Sequence, residues 1–146
     1  MQLKIQKVRE NAILPVRATD GSAGMDLHAW LEEPLTVQPG ERVRIPTGIA
    51  IGLPSRDTVA LIFARSGLAV KHGLTLSNCV GVIDSDYTGE LQVGMVHQGD
   101  AAYTVQPGER IAQLVVMPVL MPELQEVDSL EETARGTGGF GSTGRA

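Results

Sequence analysis

The sequence has little of what stabilises small or secreted domains, because it holds a single cysteine, Cys79. One cysteine excludes a disulfide framework and any zinc site that needs several thiolates. The three histidines, His28, His72 and His97, lie far apart and form no pair at metal-ligand spacing. With 146 residues, the chain has the length of one domain that can bury a hydrophobic core without either support.

Basic residues and long apolar runs are scarce as well. Twelve Lys and Arg stand against seventeen Asp and Glu, a net charge of −5, which argues against a surface for nucleic acid. The longest unbroken apolar run, Val59–Ala64, is far shorter than the roughly 18 residues of a membrane span. The first residues, Met1–Val8, alternate apolar and polar instead of forming the apolar block of a signal peptide. We therefore expect a cytoplasmic protein that binds neither nucleic acid nor membrane.

Aromatic residues are few and glycines many: one Trp, two Tyr and two Phe against 17 glycines. Long helical periodicity is absent, and short β-branched or apolar runs are cut by Gly and Pro about every ten residues, which predicts an all-β sandwich or barrel. One short helix is predicted at Ser66–Lys71, with Ser66 as its cap. The predicted strands are Leu3–Val8, Leu35–Val37, Arg42–Ile45, Gly48–Leu53, Val59–Ala64, Leu74–Leu76, Gly89–His97, Ala102–Val105 and Arg110–Pro118.

An internal repeat interrupts this pattern. The seven residues Thr36–Arg42 recur unchanged as Thr104–Arg110. Their Pro-Gly pair suits positions i+1 and i+2 of a type II turn, where glycine supplies the positive φ. Two interpretations are open: two similar hairpin corners that arose independently, or two related halves packed as a jelly roll.

The last twelve residues, from Arg135 onward, contain five glycines. Gly136–Gly141 fits the pattern G-x-G-x-x-G, but a dinucleotide-binding loop must follow a strand and open a helix, and too few residues remain for one. Successive backbone N–H groups, the hydroxyls of Ser142 and Thr143 and the Arg135 guanidinium suit a phosphate chain, and Phe140 suits a planar base. On composition alone the segment is a flexible linker.

Two carboxylates follow an apolar segment, Asn78–Ile83, which we interpret as a hairpin. If its second strand continues, Asp84 and Asp86 lie on one face and suit a general base or a metal ligand. The alternative is an Asp-rich turn whose carboxylates accept backbone N–H groups. Tyr87, one of the few aromatics, comes next.

Three further segments carry polar groups next to apolar runs. Arg65, Ser66 and Gly67 follow a predicted strand, a combination that suits phosphate oxygens but equally a helix cap with a surface arginine. Asp26 follows a glycine-containing loop. Gln113 lies inside an apolar strand and needs a hydrogen-bond partner, which a neighbouring backbone group can supply.

Taken in order, these segments resemble the five motifs of the trimeric dUTPase family (deoxyuridine triphosphate nucleotidohydrolases). The matching stretches are Ser22–Leu27, Ala64–Ala69, Gly81–Gly89, Gly108–Leu114 and Arg135–Thr143. Together they span nearly the whole chain, and five in sequence make the resemblance specific. One departure is Ala64, where the family usually has proline.

The resemblance implies a fold, an assembly and an activity. The fold is a jelly-roll domain over residues 1–134, in a homotrimer with active sites at the subunit interfaces. Residues 135–146 form an arm that closes over a site built by the other two subunits. The activity is hydrolysis of dUTP to dUMP and pyrophosphate, which supplies dUMP for thymidylate synthesis and keeps uracil out of DNA.

The resemblance also implies residue roles. Asp84 matches the general base that activates the water attacking the α-phosphorus, Asp26 an acid expected to position Arg65, and Arg135 an arginine finger for the γ-phosphate. Tyr87 matches the residue that packs under the deoxyribose. The substrate-binding positions implied are Arg65, Ser66, Gly67, Asn78, Gly81, Val82, Ile83, Tyr87, Gln92, Gln113, Phe140, Gly141, Ser142 and Thr143.

Magnesium is the cofactor that the resemblance implies. A triphosphate carries about four negative charges and this chain is itself acidic, so Mg²⁺ bridging the phosphate oxygens relieves repulsion. We expect the metal to be held mainly by the substrate and by water, and we assign it no protein ligand.

Two alternatives to dUTP hydrolysis stay open at this point. A dCTP deaminase shares the jelly roll and the trimer, but it is expected to carry a catalytic glutamate on a central strand and a different arginine-serine motif. A trimer that binds dUTP without turnover is the other, and Asp84 together with Arg135 argues against it, since binding alone needs neither a base nor a closing cation.

Overall fold

The structure is a computed structural model that describes residues 2–139. Within that range the chain forms ten strands and one helix. They are β1 (Lys4–Lys7), β2 (Met25–His28), β3 (Leu35–Val37), β4 (Arg42–Gly52), β5 (Thr58–Ala64), α1 (Ser66–His72), β6 (Leu74–Leu76), β7 (Gly81–Ile83), β8 (Glu90–His97), β9 (Tyr103–Val105) and β10 (Arg110–Pro118).

The strands form two four-stranded antiparallel sheets and one two-stranded ribbon. Their orders are β1-β4-β8-β6, β2-β10-β5-β7 and β3-β9. Apolar side chains of both larger sheets, among them Ile45, Leu91 and Met95 of one and Leu27 and Leu114 of the other, are buried in a single cluster. The all-β jelly-roll prediction is confirmed.

The two copies of the sequence repeat lie side by side. Thr36 on β3 is directly opposite Thr104 on β9, and their hydroxyls are 2.9 Å apart. The turns that follow are alike, because Gly40 and Gly108 both have positive φ, 81° and 76°. In each turn the glutamate after the glycine accepts a backbone N–H three residues earlier, at 2.8 Å.

The strands after the two turns also correspond. Arg42 pairs with Val96 on β8, and Arg110 pairs with His28 on β2. Arg110 lies 68 residues after Arg42 and His28 lies 68 residues before Val96, so each residue of the first pair has its counterpart in the other copy. The correspondence ends at Ile111, where a β-bulge shifts the register of β10. The structure therefore supports the interpretation of two related halves.

Two strand predictions were wrong. Arg42–Ile45 and Gly48–Leu53 belong to one long strand, β4, because an irregularity between Pro46 and Ala50 accommodates the proline without ending the strand. Strand β2, Met25–His28, was not predicted, although its residues alternate between apolar and polar side chains.

The helix cap and the hairpin also differ from the predictions. Arg65, not Ser66, occupies the N-cap position of α1, and no side chain in the described part of the chain caps the helix. The segment Asn78–Ile83 is not a hairpin, because β6 pairs with β8 in one sheet and β7 pairs with β5 in the other. Among residues 2–139 no helix has the length and apolar character needed to cross a membrane.

Replacing Gly73 by alanine is expected to destabilise the fold more than replacing Gly40. Both have positive φ, which costs an alanine about 1–2 kcal/mol. A Cβ at Gly73 would in addition clash with the backbone nitrogen of Gly99, whereas a Cβ at Gly40 meets no atom of residues 2–139 within 4 Å. Urea unfolding of both variants at one protein concentration measures the difference, and equal losses would contradict the contact.

Candidate active site

A carboxylate between two arginines lies at the end of the β2-β10-β5 sheet. Arg65 donates from Nε to Asp26 Oδ1 at 2.9 Å, and Arg110 donates from Nη1 to Asp26 Oδ2 at 3.1 Å. Arg65 also donates to the backbone oxygen of Arg110 at 3.1 Å. Asp26 is only 9% exposed, so the two guanidinium groups replace the water that a buried carboxylate needs. The contact expected between Asp26 and Arg65 is present.

Sequence reasoning missed Arg110. Its signal was the internal repeat, since Arg110 is the last residue of the second copy and its counterpart Arg42 ends the first. Residue 111 forms the bulge, which places Gln113 opposite Asp26 and leaves Arg110 beside it. Bulges are a common way to re-aim a side chain next to a functional site.

His28 adds no third cation to this group. Burial lowers its pKa, and the nearby Arg110 and Arg65 lower it further against the opposing effect of Asp26. Its Nδ1 is buried without a hydrogen-bond partner in the part of the chain that the structure describes. Because the imidazole is neutral, the charged groups of this cluster are one carboxylate and two guanidinium groups.

An open cavity of about 310 Å³ lies beside the cluster. It is lined by Ala18, Ser22, Ala23, Gly24, Asp26, Arg65, Ser66, Gly67 and Gln113. Gln113 is held in place because its Nε2 donates to the backbone oxygen of Ala64 at 2.9 Å. The lining therefore combines a fixed cation, a hydroxyl, an amide and glycine backbone, the groups that bind phosphate oxygens.

A second, smaller cavity of about 120 Å³ lies between the two sheets near Asn78. Its size is close to the roughly 150 Å³ cavity that holds a benzene ring, so it suits one planar ring. The apolar floor comes from both sheets, and an added Cβ at Gly94 would meet Ser77 Oγ at 2.9 Å. The lining residues are Ile62, Leu76, Asn78, Gly81, Val82, Ile83, Gln92, Val93 and Gly94.

Asp84 and Asp86 line a third cavity of about 570 Å³, with Arg56 on its wall. They do not share a strand face as predicted, since β7 ends at Ile83. Within residues 2–139 neither carboxylate accepts a hydrogen bond from a backbone N–H. The alternative of an Asp-rich turn, in which the carboxylates accept such bonds, is therefore not observed either. Carboxylates of this kind stay available for a ligand or a water.

Tyr87 folds back over Gly89, where an added Cβ would lie 2.6 Å from the phenolic oxygen. Its hydroxyl donates to the backbone oxygen of Glu90 at 3.0 Å, and the residue stays 46% exposed. The Glu90 carboxylate is itself held by Arg9, at 2.7 and 3.0 Å, and by the N–H of Gly48 at 2.9 Å. These contacts fix the phenol ring at the surface next to Asp84.

Asp84 and Arg65 lie at opposite ends of β5. β7 runs antiparallel to β5 with Ala60 opposite Ile83, so Asp84 lies near Val59 at the start of β5. Arg65 directly follows the last residue of β5. At about 3.3 Å per residue, the two ends are roughly 20 Å apart.

Residues 119–139 contain no helix or strand. They expose three leucines almost fully: Leu120 at 90%, Leu124 at 98% and Leu130 at 86%. Arg135 is exposed and donates from Nε to the backbone oxygen of Gly138 at 2.8 Å, away from the three cavities described above. The predicted positions Phe140, Gly141, Ser142 and Thr143 lie outside the described residues.

No group of three or more His, Cys, Asp or Glu side chains is arranged to hold a metal ion in the described part of the chain. Asp26 gives both its oxygens to arginines. The cavity beside it therefore offers no free carboxylate of its own.

Comparison with known proteins gives consistent results. A sequence model of the dUTPase family matches residues 10–144. The chain is 53% identical over 146 residues to the deoxyuridine 5'-triphosphate nucleotidohydrolase of Desulfitobacterium hafniense, covering 99% of this chain and 97% of that protein. The fold is similar to that of the Staphylococcus bacteriophage 80alpha dUTPase with dUPNHPP, with a TM-score of 0.89, 29% identity and 99% of each chain covered. It is also similar to a mutant dUTPase from phage phi11 of S. aureus, described with a structural Mg(II) ion, with a TM-score of 0.81, 26% identity and coverage of 90% of this chain and 100% of that one.

Replacing Glu90 by glutamine is expected to lower the unfolding temperature at pH 7 and to matter less at acidic pH. The hydrogen bonds from Arg9 and Gly48 hold the pKa of Glu90 below its usual value. The ionised carboxylate therefore stabilises the fold above its unfolded pKa of about 4.3, and this stabilisation is lost as the pH falls through the lower folded pKa.

Thermal unfolding of parent and variant between about pH 3 and pH 8 measures this effect. Glu33→Gln is the control, since Glu33 is exposed and has no ion-pair partner within residues 2–139. A difference for Glu90→Gln that stays constant across the range would show that the ion pair contributes nothing.

Proposed function

The chain belongs to the dUTPase family and hydrolyses dUTP to dUMP and pyrophosphate, and we propose that each active site is assembled from several copies of it in a homotrimer. Family membership also decides between the alternatives: a deaminase or a purely binding trimer is not supported by relatives that are named nucleotidohydrolases.

The observation that carries this proposal is the separation of Arg65 and Asp84 along β5. A base that activates water at the α-phosphorus and a cation that binds the same triphosphate must both reach one substrate molecule, so their side chains must lie close together. Within one chain they lie at opposite ends of a seven-residue strand, roughly 20 Å apart. Arg65 of one subunit and Asp84 of another meet this requirement, and a closed symmetric assembly forms the site at each interface.

The phosphate chain binds in the cavity beside Asp26. Asp26 orients Arg65 through its Nε, and the backbone oxygen of Arg110 accepts from Nη1, which leaves the Nη2 donors for phosphate oxygens. Ser66, Gly67 and Gln113 line the same cavity and add a hydroxyl, a close backbone approach and an amide. The two arginines give this end of an acidic protein a local positive charge, which attracts a polyanion.

The uracil binds in the small cavity near Asn78. The amide of Asn78 and the backbone groups of Gly81, Val82 and Ile83 read the base edge, and Gln92 lines the same cavity. A base with a different hydrogen-bond pattern leaves these groups unpaired, which rejects it far more strongly than a missing methyl group would. Tyr87, fixed over Gly89, packs under the deoxyribose and excludes a 2′-hydroxyl.

Asp84 is the general base in this scheme. Its carboxylate takes a proton from a water molecule, the water oxygen attacks the α-phosphorus, and the bond to the bridging oxygen breaks to release pyrophosphate. Arg65 stabilises the charge that develops on the phosphate oxygens.

Residues 135–146 act as an arm that closes over a site formed by two other subunits, whereas residues 1–134 form the domain. Arg135 supplies positive charge to the γ-phosphate, Phe140 covers the uracil, and Gly141, Ser142 and Thr143 bind the phosphates. The exposed leucines at 120, 124 and 130 support this arrangement, because a stretch that apolar is typical of chain that packs on another subunit.

A magnesium ion would be held by the substrate and by water, with no carboxylate of this cavity as its ligand. The carboxylate beside the phosphate cavity is already paired with two arginines, so the donor set fits a metal held by phosphate oxygens and water instead of by protein ligands. The bound ion neutralises part of the triphosphate charge.

Replacing Asp84 by asparagine is expected to lower kcat by roughly 10²–10⁴-fold, because the shape is kept and the base is lost. Binding of the imido analogue dUpNHpp should stay close to that of the parent. Asp86→Asn is the matched control, since it removes a charge from the same cavity and should retain activity. Pyrophosphate release measures turnover, and near-normal turnover of Asp84→Asn would assign the base to another group.

Mixing two inactive variants tests the shared site. Arg65→Gln and Asp84→Asn subunits, co-expressed in equal amounts, should recover about a quarter of the parent activity, because a quarter of random interfaces combine an intact Arg65 with an intact Asp84. Each variant alone, and the two mixed after assembly without subunit exchange, should stay inactive.

A site contained in one chain gives a different result. A subunit carrying both substitutions, co-expressed with the parent chain, should then reduce activity only in proportion to its own share. No recovery in the mixture of single variants, together with this proportional loss, would contradict assembly of the site between subunits.

A further inference from the structure

We propose that Arg17 is a positioning residue that turns the backbone N–H groups of Ala23 and Gly24 toward the phosphate chain of the substrate. The proposal rests on the assignment of the phosphates to the cavity beside Asp26. The sequence motifs left Arg17 unassigned, and its side chain does not line that cavity.

The Arg17 guanidinium binds two successive backbone oxygens. Its Nη1 donates to the oxygens of Ser22 and Ala23, at 2.5 and 2.7 Å. Both peptide groups are trans, since the described residues contain no cis peptide bond. In a trans peptide the N–H points opposite to the C=O. The N–H groups of Ala23 and Gly24 therefore point away from Arg17.

The cavity beside Asp26 reaches Ala23 and Gly24 but not Arg17. Ala23 and Gly24 line it together with Arg65 and Ser66. Within residues 2–139 neither N–H donates to a backbone or side-chain acceptor. Two unpaired donors at the wall of a cavity that already holds an arginine suit an anionic oxygen.

The loop that carries the two peptides is closed at its base. The N–H of Asp26 donates to the oxygen of Val16 at 2.8 Å, so the loop begins and ends at one point. At its tip, Ser22 N–H donates to the oxygen of Thr19 at 3.0 Å, and the two hydroxyls are 2.9 Å apart. These contacts fix the course of the loop and leave the orientation of the next two peptides to Arg17.

Gly24 is pressed against Gln113 on the inner side. An added Cβ at Gly24 would lie 2.5 Å from Gln113 Oε1 and 3.2 Å from its Cβ. The peptides are thus held between Gln113 on one side and Arg17 on the other. A cation bound to the carbonyl oxygens also polarises the same peptide groups, which strengthens their N–H donors.

Binding of dUpNHpp and of dUMP to three variants tests the proposal. Arg17→Gln should weaken dUpNHpp binding roughly tenfold, the usual effect of hydrogen bonds to a charged group, and should change dUMP binding little, since dUMP lacks the outer phosphates. Arg17→Lys keeps a cation that can donate to both oxygens and should recover part of the loss. Arg44→Gln, which removes an exposed arginine from β4, controls for overall charge.

Amide NMR spectra separate positioning from simple attraction. In the parent protein, dUpNHpp should move the N–H resonances of Ala23 and Gly24 downfield, and in Arg17→Gln these shifts should be lost while the remaining spectrum stays folded. Unchanged shifts in Arg17→Gln, or equal losses of affinity in Arg17→Gln and Arg44→Gln, would overturn the proposal.

The assignment of the phosphate cavity has its own control. Ser66→Ala should weaken dUpNHpp binding whether or not Arg17 has the role proposed. If Ser66→Ala has an effect and Arg17→Gln has none, Arg17 is not a positioning residue and the cavity assignment stands. If neither substitution has an effect, the phosphates bind elsewhere and both conclusions fail.

Discussion

Strands β5 and β10 pair without interruption from Ala64 opposite Ala112 to Thr58 opposite Pro118, and the positions of all the polar groups depend on this register. At one end it brings Arg65 next to Arg110, so that both reach Asp26 on the neighbouring strand. At the other end β5 carries β7 and thereby Asp84. A slip of one residue would reverse the face of every side chain on β10 and separate Gln113 from Ala64. The pairing of these strands therefore determines which polar side chains lie at each end of the sheet and how far apart the two ends are.

Charge is distributed to match this division. The chain is acidic overall, at −5, but two of its arginines meet at the Asp26 end, where they share one carboxylate. The shared carboxylate orients the arginines without fully neutralising them. At the Asp84 end, the side chains of Asp84 and Asp86 are exposed and form no ion pair with any of residues 2–139, since burial does not force them into pairs. The two ends of the sheet thus differ in their local charge, and a different part of the sheet sets each of them.

Much of this arrangement could be predicted from the sequence. The fold class followed from the spacing of short apolar runs, and the contact of Asp26 with Arg65 followed from the motifs. Other features depended on contacts between distant residues, which local patterns do not show. The N-cap position of α1 was predicted for Ser66, but Arg65 occupies it. The side chain of Arg65 is bound to Asp26, a residue far from it in the sequence. The segment before Asp84 crosses between sheets because its two strands find separate partners.

The paired turns at Gly40 and Gly108 have a consequence for how one small ligand is recognised. The displacement of 68 residues that relates them also relates Gly24 and Asp26 on one side to Gln92 and Gly94 on the other. The first pair lines the cavity assigned to the phosphates, and the second lines the cavity assigned to the base. The two copies therefore differ at equivalent positions: Asp26 in the first holds two arginines, whereas Gly94 in the second leaves room beside Ser77. A substitution at Asp26 therefore alters the first of these cavities and one at Gly94 alters the second, so equivalent positions of the repeat can change independently of each other.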